Sequence, residues 1–387
     1  MELKLKKALA TGAALALMLG SAAGPAFAGA DADANVTDDG NATSYSEDND
    51  TFNVTNNNNP GNLTNVDLGV GISGLNDQDN NDDNNTLTTE GAMGDGHSDN
   101  FLNSNVALIG DDETDGSSQA MAAVGEDGDA NATAIDNDNV TVNNTNDADV
   151  FNLTLGLAVS GGNSQSGNDD GNELNAGSST ADAEVLNEVN SNWTTIGTGH
   201  SAHADASVGE DGNATAESDD SDRVRVRNDN EADLDNYTIA AAVSGGNTQS
   251  GNDDNNTMDS GDSNATSNTN NFVNSNVTVV DGDSGASSAV NGGGSSSANA
   301  SVGEDGNATA NATDNDNVTV NNTNDADVTN VSAGVAVSGG NDQSNNDDNN
   351  TMSTGQASGS SCSTNTVNSN WTVIGGSLPE GSSTSCQ

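Results

Sequence analysis

The 387 residues hold six lysines and arginines against 60 aspartates and glutamates, a formal net charge of −54. Repulsion on that scale excludes nucleic acid and anionic membrane surfaces as partners and points to cations, or to a salty medium that screens the chain from itself. Aromatics are 2% of the chain, and so little apolar bulk with so much charge is the composition of a disordered protein, so order has to come from pattern.

The chain opens as a secreted protein does. Lys4, Lys6 and Lys7 form a basic start, Ala8 to Leu19 an apolar run, and Ala26-Phe27-Ala28 a cleavage site with small outer residues. Residues 1–28 are thus expected to be a signal peptide. The apolar run is too short for a membrane span, so the mature product is expected outside the cell or at its surface, with no membrane insertion. Cleavage leaves Arg223, Arg225 and Arg227 as the basic residues.

Four repeats follow, at 36–105, 124–192, 208–276 and 302–370, with a tail over 371–387. The last three are 69 residues each without a gap, and the first is one residue longer, near Pro60. The segments between them vary, at 18, 15 and 25 residues. Length held inside the unit and free outside it is a constraint of geometry, which a disordered chain does not need.

Inside each repeat apolar residues alternate with small or polar ones. The run is Val66, Leu68, Val70, Ile72 in the first repeat and Leu153, Leu155, Leu157, Val159 in the second. It is Tyr237, Ile239, Ala241, Val243 in the third and Val331, Ala333, Val335, Val337 in the fourth. A period of two with one apolar face predicts a half-buried β-strand. The opposite face (Gly69 and Gly71, Thr154 and Ala158, and their equivalents) is small enough for a second layer to approach closely, or is solvated. Shorter strands are expected around Val140/Val142 upstream and around Val189/Trp193 downstream, with no helix after residue 28. The fold class is all-β, a β-solenoid or stack of β-sheets built from four repeats. Stacked Asn and Gln ladders would supplement a thin apolar core.

A corner rich in Gly, Asn and Asp follows each main strand: "SGLNDQDNNDDNNT" from Ser73, "SGGNSQSGNDDGNE" from Ser160, "SGGNTQSGNDDNNT" from Ser244 and "SGGNDQSNNDDNNT" from Ser338. Its paired aspartates, Asp82/Asp83, Asp169/Asp170, Asp253/Asp254 and Asp347/Asp348, are candidate calcium ligands because they offer hard oxygens. The spacing matches neither an EF-hand nor a calcium-binding β-roll, and turn formation and solubility account for the same residues. No other cofactor is implied.

His200 and His203 form a lone His-x-x-His and His97 stands alone, so a surface role competes with metal binding. Arg223, Arg225 and Arg227 lie on one strand face as counter-charges for nearby carboxylates. Cys362 and Cys386, the only two cysteines, read as a disulfide in an exported protein, closing the tail on the last repeat for about 3 kcal/mol. No nucleophile–histidine–acid set recurs and the distinctive residues are repeated fourfold, so an enzyme is not expected.

The stretch "SGGNTQSGNDDNN" with its later "VNSN" (Val273–Asn276) resembles the Asn/Thr/Gly-rich β-strand-repeat proteins that bacteria secrete to their surfaces. More distantly it is similar to subunits of curli- and Fap-type functional-amyloid fibres. Gln249-Ser250-Gly251 begins the curli Gln-x-Gly-x-x-Asn pattern, but Asp254 stands at its Asn, and Asn80 and Asn345 replace the glycine in the first and fourth repeats. The resemblance implies a structural role at the cell surface or in an extracellular matrix or fibre, with self-association or other matrix components as partners. An adhesin or a divalent-cation-binding surface protein is the alternative.

Overall fold

A computed structural model of the protein describes residues 30–82, 84–109, 117–198, 201–282 and 295–374. The expected signal peptide, Asp83, His200 and Cys386 lie outside the described residues. The chain winds into four stacked coils of seven strands, and among the described residues no segment is helical. In the first coil the strands are β1 (Ala30–Val36), β2 (Ala42–Asp48), β3 (Thr51–Ile72), β4 (Asp77–Asp79), β5 (Thr86–Thr88), β6 (Ala92–Leu102) and β7 (Asn105–Ile109). The same seven labels serve the later coils, where β3 is Asn139–Val159, Arg223–Val243 and Asn317–Val337. Each strand pairs in parallel with its equivalents in coil order, giving seven sheets of four strands. This is a β-solenoid.

The coil is flat. Strands β2 and β3 run end to end along one side, about 100 Å at the usual rise of ~3.3 Å per residue. Strands β4 and β5 turn the corner, and β6 and β7 return along the other side to β1 of the next coil. Hydrogen bonds tie the two sides together, from Ser44 Oγ to the Ala32 carbonyl, from Asn58 Nδ2 to Asn105 Oδ1 and from Asn152 Nδ2 to Asn187 Oδ1.

Equivalent repeat positions are direct neighbours. Val36, Val124, Val208 and Val302 form one column, and Asn105, Asn192, Asn276 and Asn370 another. The extra residue of the first repeat is a register shift opposite Asn146/Ala148, between Asn58 and Gly61. A bulge on the outermost strand of a sheet is where a proline, which cannot donate to the ladder, is tolerated. The segments between repeats contribute β1 of each following coil, Ser117–Val124, Ser201–Val208 and Ser295–Val302. These strands alternate alanine with polar residues and close the narrow end of the coil over an alanine core.

The main strand faces the other way from the one its side chains suggest. The large apolar residues of its last third, the run from Val66 to Ile72 and its equivalents, point outward, with Val66 67%, Leu68 59% and Val335 52% exposed, while Thr154, Ala158, Thr238 and Ala240 inside are 0% exposed. The reason is steric. A Cβ on Gly69 would lie 2.0 Å from the Asp95 carbonyl oxygen, and one on Gly156 2.1 Å from that of Asp182. The two sides are nearly in backbone contact there, so only glycine, alanine, serine and threonine fit between them. Of the two expectations for the small face, close approach of a second layer holds.

The interior runs in bands along the long axis. Along the second coil, inward residues of β2 and β3 read Ala130 to Ala134, then Asp136 and Asp138, Val140 and Val142, Asn144 and Asn146, Ala148 and Val150, Asn152 and Thr154, all buried. Apolar bands pack across the coil, as Val140 and Val142 do with Ala107, Ile109 and Ile196. Polar bands pack along the stack, because a buried amide needs partners and finds them in the same residue one coil away.

Candidate functional site: stacked corners, acidic columns and open ladder ends

At the corner, a residue with positive φ occurs at the same place in every coil: Asn80, Gly167, Gly251 and Asn345, with φ between 54° and 63°. Asparagine is the side-chain-bearing residue that best tolerates this left-handed conformation, which is why Asn80 and Asn345 can stand where the other coils have glycine. The turn is closed by a side chain in each coil: Asn85, Asn172, Asn256 and Asn350 donate to the carbonyls of Asp82, Asp169, Asp253 and Asp347. Behind it the glutamines form a ladder, Gln165 to Gln78 at 3.0 Å, Gln249 to Gln165 at 2.9 Å and Gln343 to Gln249 at 2.8 Å.

The corner aspartates stack into columns with the first of each pair exposed. Backbone amides occupy part of the second column, since Asp254 N–H donates to Asp170 Oδ1 at 3.1 Å and Asp348 N–H to Asp254 Oδ1 at 2.9 Å. The Asp253 carboxyl is raised above the ordinary carboxylate range by local desolvation and then by the charges of Asp169, Asp347, Asp170 and Asp254. These residues are therefore a structural corner with a strongly negative rim.

A second acidic group lies inside the coil, and the sequence reading did not pick it out. At the junction of β2 and β3 every coil carries Asp-x-Asp: Asp48/Asp50, Asp136/Asp138, Asp220/Asp222 and Asp314/Asp316. On a strand this spacing sends both carboxylates to the same face, here inward, and Asp136 and Asp220 are 0% exposed. Burial, and then the charges of Asp222, Asp136, Asp316 and Asp314, push Asp220 up to about 9. The available signal was the position of the pair, two residues ahead of the first inward-facing valine of each β3 (Val140, Val224, Val318).

The remaining candidates are dispersed. His97 faces Asp99 at 3.1 Å and Glu184 at 3.6 Å, and His203 faces Asp205 at 3.0 Å, so each histidine has carboxylate neighbours on the outer surface. Arg227 pairs with Asp229 at 3.1 Å, the counter-charge role expected of the arginine strand. Cys362 is not a free cysteine and lies in the outward column of β6 with His97, Glu184 and Asn268.

The ends of the stack are the last feature. The inward asparagines donate in one direction, from each coil to the next. Asn56 donates to Asn144, Asn144 to Asn228 and Asn228 to Asn322, at 2.8, 2.7 and 2.7 Å. Asn58, Asn146, Asn230 and Asn324 repeat this at 2.9, 2.8 and 2.8 Å, and Asn152, Asn236 and Asn330 at 2.7 and 2.8 Å. The first coil therefore begins the first two ladders as donor, at Asn56 and Asn58, and the fourth coil ends all three as acceptor. Compared with known proteins, the chain matches no family model, no curated protein and no solved structure.

Proposed function

We propose that this protein is a secreted structural subunit that polymerises head to tail into a fibre or matrix at the cell surface. The observation that carries the reading is the polarity of the asparagine ladders. One end of the stack offers amide Nδ2 groups at Asn322, Asn324 and Asn330, and the other offers Oδ1 acceptors at Asn56 and Asn58. Two copies stacked along the axis would continue the ladders of Asn56 and Asn58 without a change of direction, a heterologous contact of the kind that gives open filaments. The strands at both ends also present parallel edges for pairing. A disulfide between Cys362 and Cys386 is compatible with this assembly, since the outward column of Cys362 would pin the tail to the flank and leave the end free. An adhesin is the second reading, favoured by the outward apolar columns headed by Val66, Leu68, Val70 and Ile72.

The test is negative-stain microscopy and fibre diffraction of the mature protein, which should show filaments with a ~4.8 Å repeat along the axis. Asn324→Asp with Asn330→Asp keeps the oxygens that accept from Asn230 and Asn236 but removes two of the amide groups at that end, each of which also donates to Asn370 or Asn365 of its own coil, and should leave monomers that circular dichroism shows to be folded. A wild-type protein that stays monomeric at high concentration, or a double variant that still forms filaments, refutes the reading.

A further inference from the structure

We propose that the interior acidic columns bind a divalent cation, calcium by its chemistry, where Asp220, Asp222 and Asp316 converge. One carboxylate oxygen from each of the three lies within 4.8 Å of the others. Asp220 is 0% exposed and neither of its oxygens has a hydrogen-bond partner. A buried carboxylate without hydrogen bonds is among the costliest groups a fold can contain, and a bound cation is one of the few things that compensates it.

The other two ligands are positioned by the backbone. Asp138 N–H donates to Asp222 Oδ1 and Asp222 N–H donates to Asp316 Oδ1, each at 3.2 Å. Both side chains are thereby held at one height per coil, with Oδ2 of each buried beside them. Strand stacking thus does for this group what a dedicated loop does elsewhere, setting ligand spacing by the parallel register.

The donor set selects the ion. Three carboxylates with no nitrogen or sulfur suit a hard cation. Calcium takes its oxygen ligands in flexible geometry, whereas magnesium demands a near-ideal octahedron and gives up its water reluctantly, so an interior group of three carboxylates spaced by strand register suits calcium. The corner aspartates differ in burial, since Asp169, Asp253 and Asp347 are exposed to water and none of them is enclosed as Asp220 is.

The experiment titrates the mature wild-type protein with calcium chloride in a calorimeter, at high and constant monovalent salt so that diffuse counterion exchange contributes no saturable heat. The expected result is saturable binding that magnesium displaces poorly. It should be lost in Asp220→Asn with Asp222→Asn and retained in Asp253→Asn with Asp254→Asn. Retention in the interior variant, loss in the corner variant, or no saturable heat in the wild type, as when protons alone neutralise the columns, overturns the proposal. If the interior variant does not fold, europium in place of calcium decides on the wild type. Luminescence lifetimes in light and heavy water should report an ion stripped of most of its water, and an ion that keeps most of it places the site on the surface and refutes the proposal.

Discussion

Leu75 has φ of 65°, in the column where Gly162, Gly246 and Gly340 have 72°, 76° and 76°. A left-handed conformation costs a side-chain-bearing residue about 1–2 kcal/mol, while glycine returns some of that through greater freedom in the unfolded chain. Leu75 is also 66% exposed, so little packing is lost with its side chain. Leu75→Gly should therefore stabilise the protein by about 0.5–1 kcal/mol, read as a rise in denaturation midpoint at unchanged slope. Glu188 is a second residue out of keeping with its column, lying beside Phe101 and Phe272 of the adjoining coils. Burial raises its carboxyl above the usual value of 4.5, partly offset by a hydrogen bond from Ser191. The folded state therefore holds the proton more tightly than the unfolded one. Stability is lost as pH rises from 4.5 through the raised folded value, and the whole penalty is present above it. Glu188→Gln should raise the melting temperature at neutral pH, with the gain vanishing at about pH 4, where both side chains are neutral. Calorimetric scans at the two pH values check this, and an equal gain at both would show that the charge is not the cause. At this scale the corner was legible, because Asn, Gly and Asp mark turns whatever the fold. The interior aspartates were not, since aspartate in an acidic chain is expected in water and only the strand phase set by the following valines reveals otherwise.

The main strand shows how far pattern carries at the level of an element. Alternation identified the last third of β3, because a period of two is a property of the strand, but not its extent, since Val140 and Val142, expected in a separate shorter strand, belong to the same strand Asn139–Val159. It did not identify the inner face, because hydrophobicity was weighed without volume. Where two sheets meet backbone to backbone, Gly156 and Ala158 are inside by size, and Leu155 and Leu157 cover their counterparts in adjoining coils along the outer surface. Such an interface gains little from transfer of bulky groups out of water and depends on close contact across many small ones. It should accordingly tolerate no added bulk. Ala240 is 0% exposed in a cluster made wholly of alanines, and Ala240→Leu would wedge the two sides apart at a cost of at least ~3 kcal/mol, the upper end of core overpacking. Ile239→Ala, on the outer face of the same strand, should cost far less. Urea unfolding of the two variants separates the cases, and the reverse order of losses would mean that the apolar face is the buried one after all. The coil was also longer than the repeat suggested. The segments between repeats vary in length, which disguised the alanine-rich strand that each contributes to the narrow end.

For the molecule as a whole, stability is set by neighbours along a single axis. In a stack of four, two coils have a neighbour on each side and two have only one. The cost is visible in burial: inward Val142, Val226, Asn144 and Asn228 of the middle coils are 0 to 1% exposed, whereas β3 of the fourth coil alternates between half-buried and exposed throughout. Joining two copies end to end would convert two terminal coils into interior ones and complete the ladders that begin at Asn56 and Asn58 and end at Asn322 and Asn324. Opposing this is the charge of −54 that each full chain carries, which salt screens over a Debye length of about 8–10 Å. Association should therefore need salt, and once salt permits it, folding and association become linked, because the folded stack binds its copy and the unfolded chain does not. The melting temperature of the wild type at high salt should rise with protein concentration. It should be independent of concentration at low salt, where repulsion keeps the ends apart, and independent at any salt in Asn324→Asp with Asn330→Asp. Scanning calorimetry over a hundredfold range of concentration tests all three. A wild-type melting temperature that ignores concentration at high salt would mean that the ends, though complementary, do not meet.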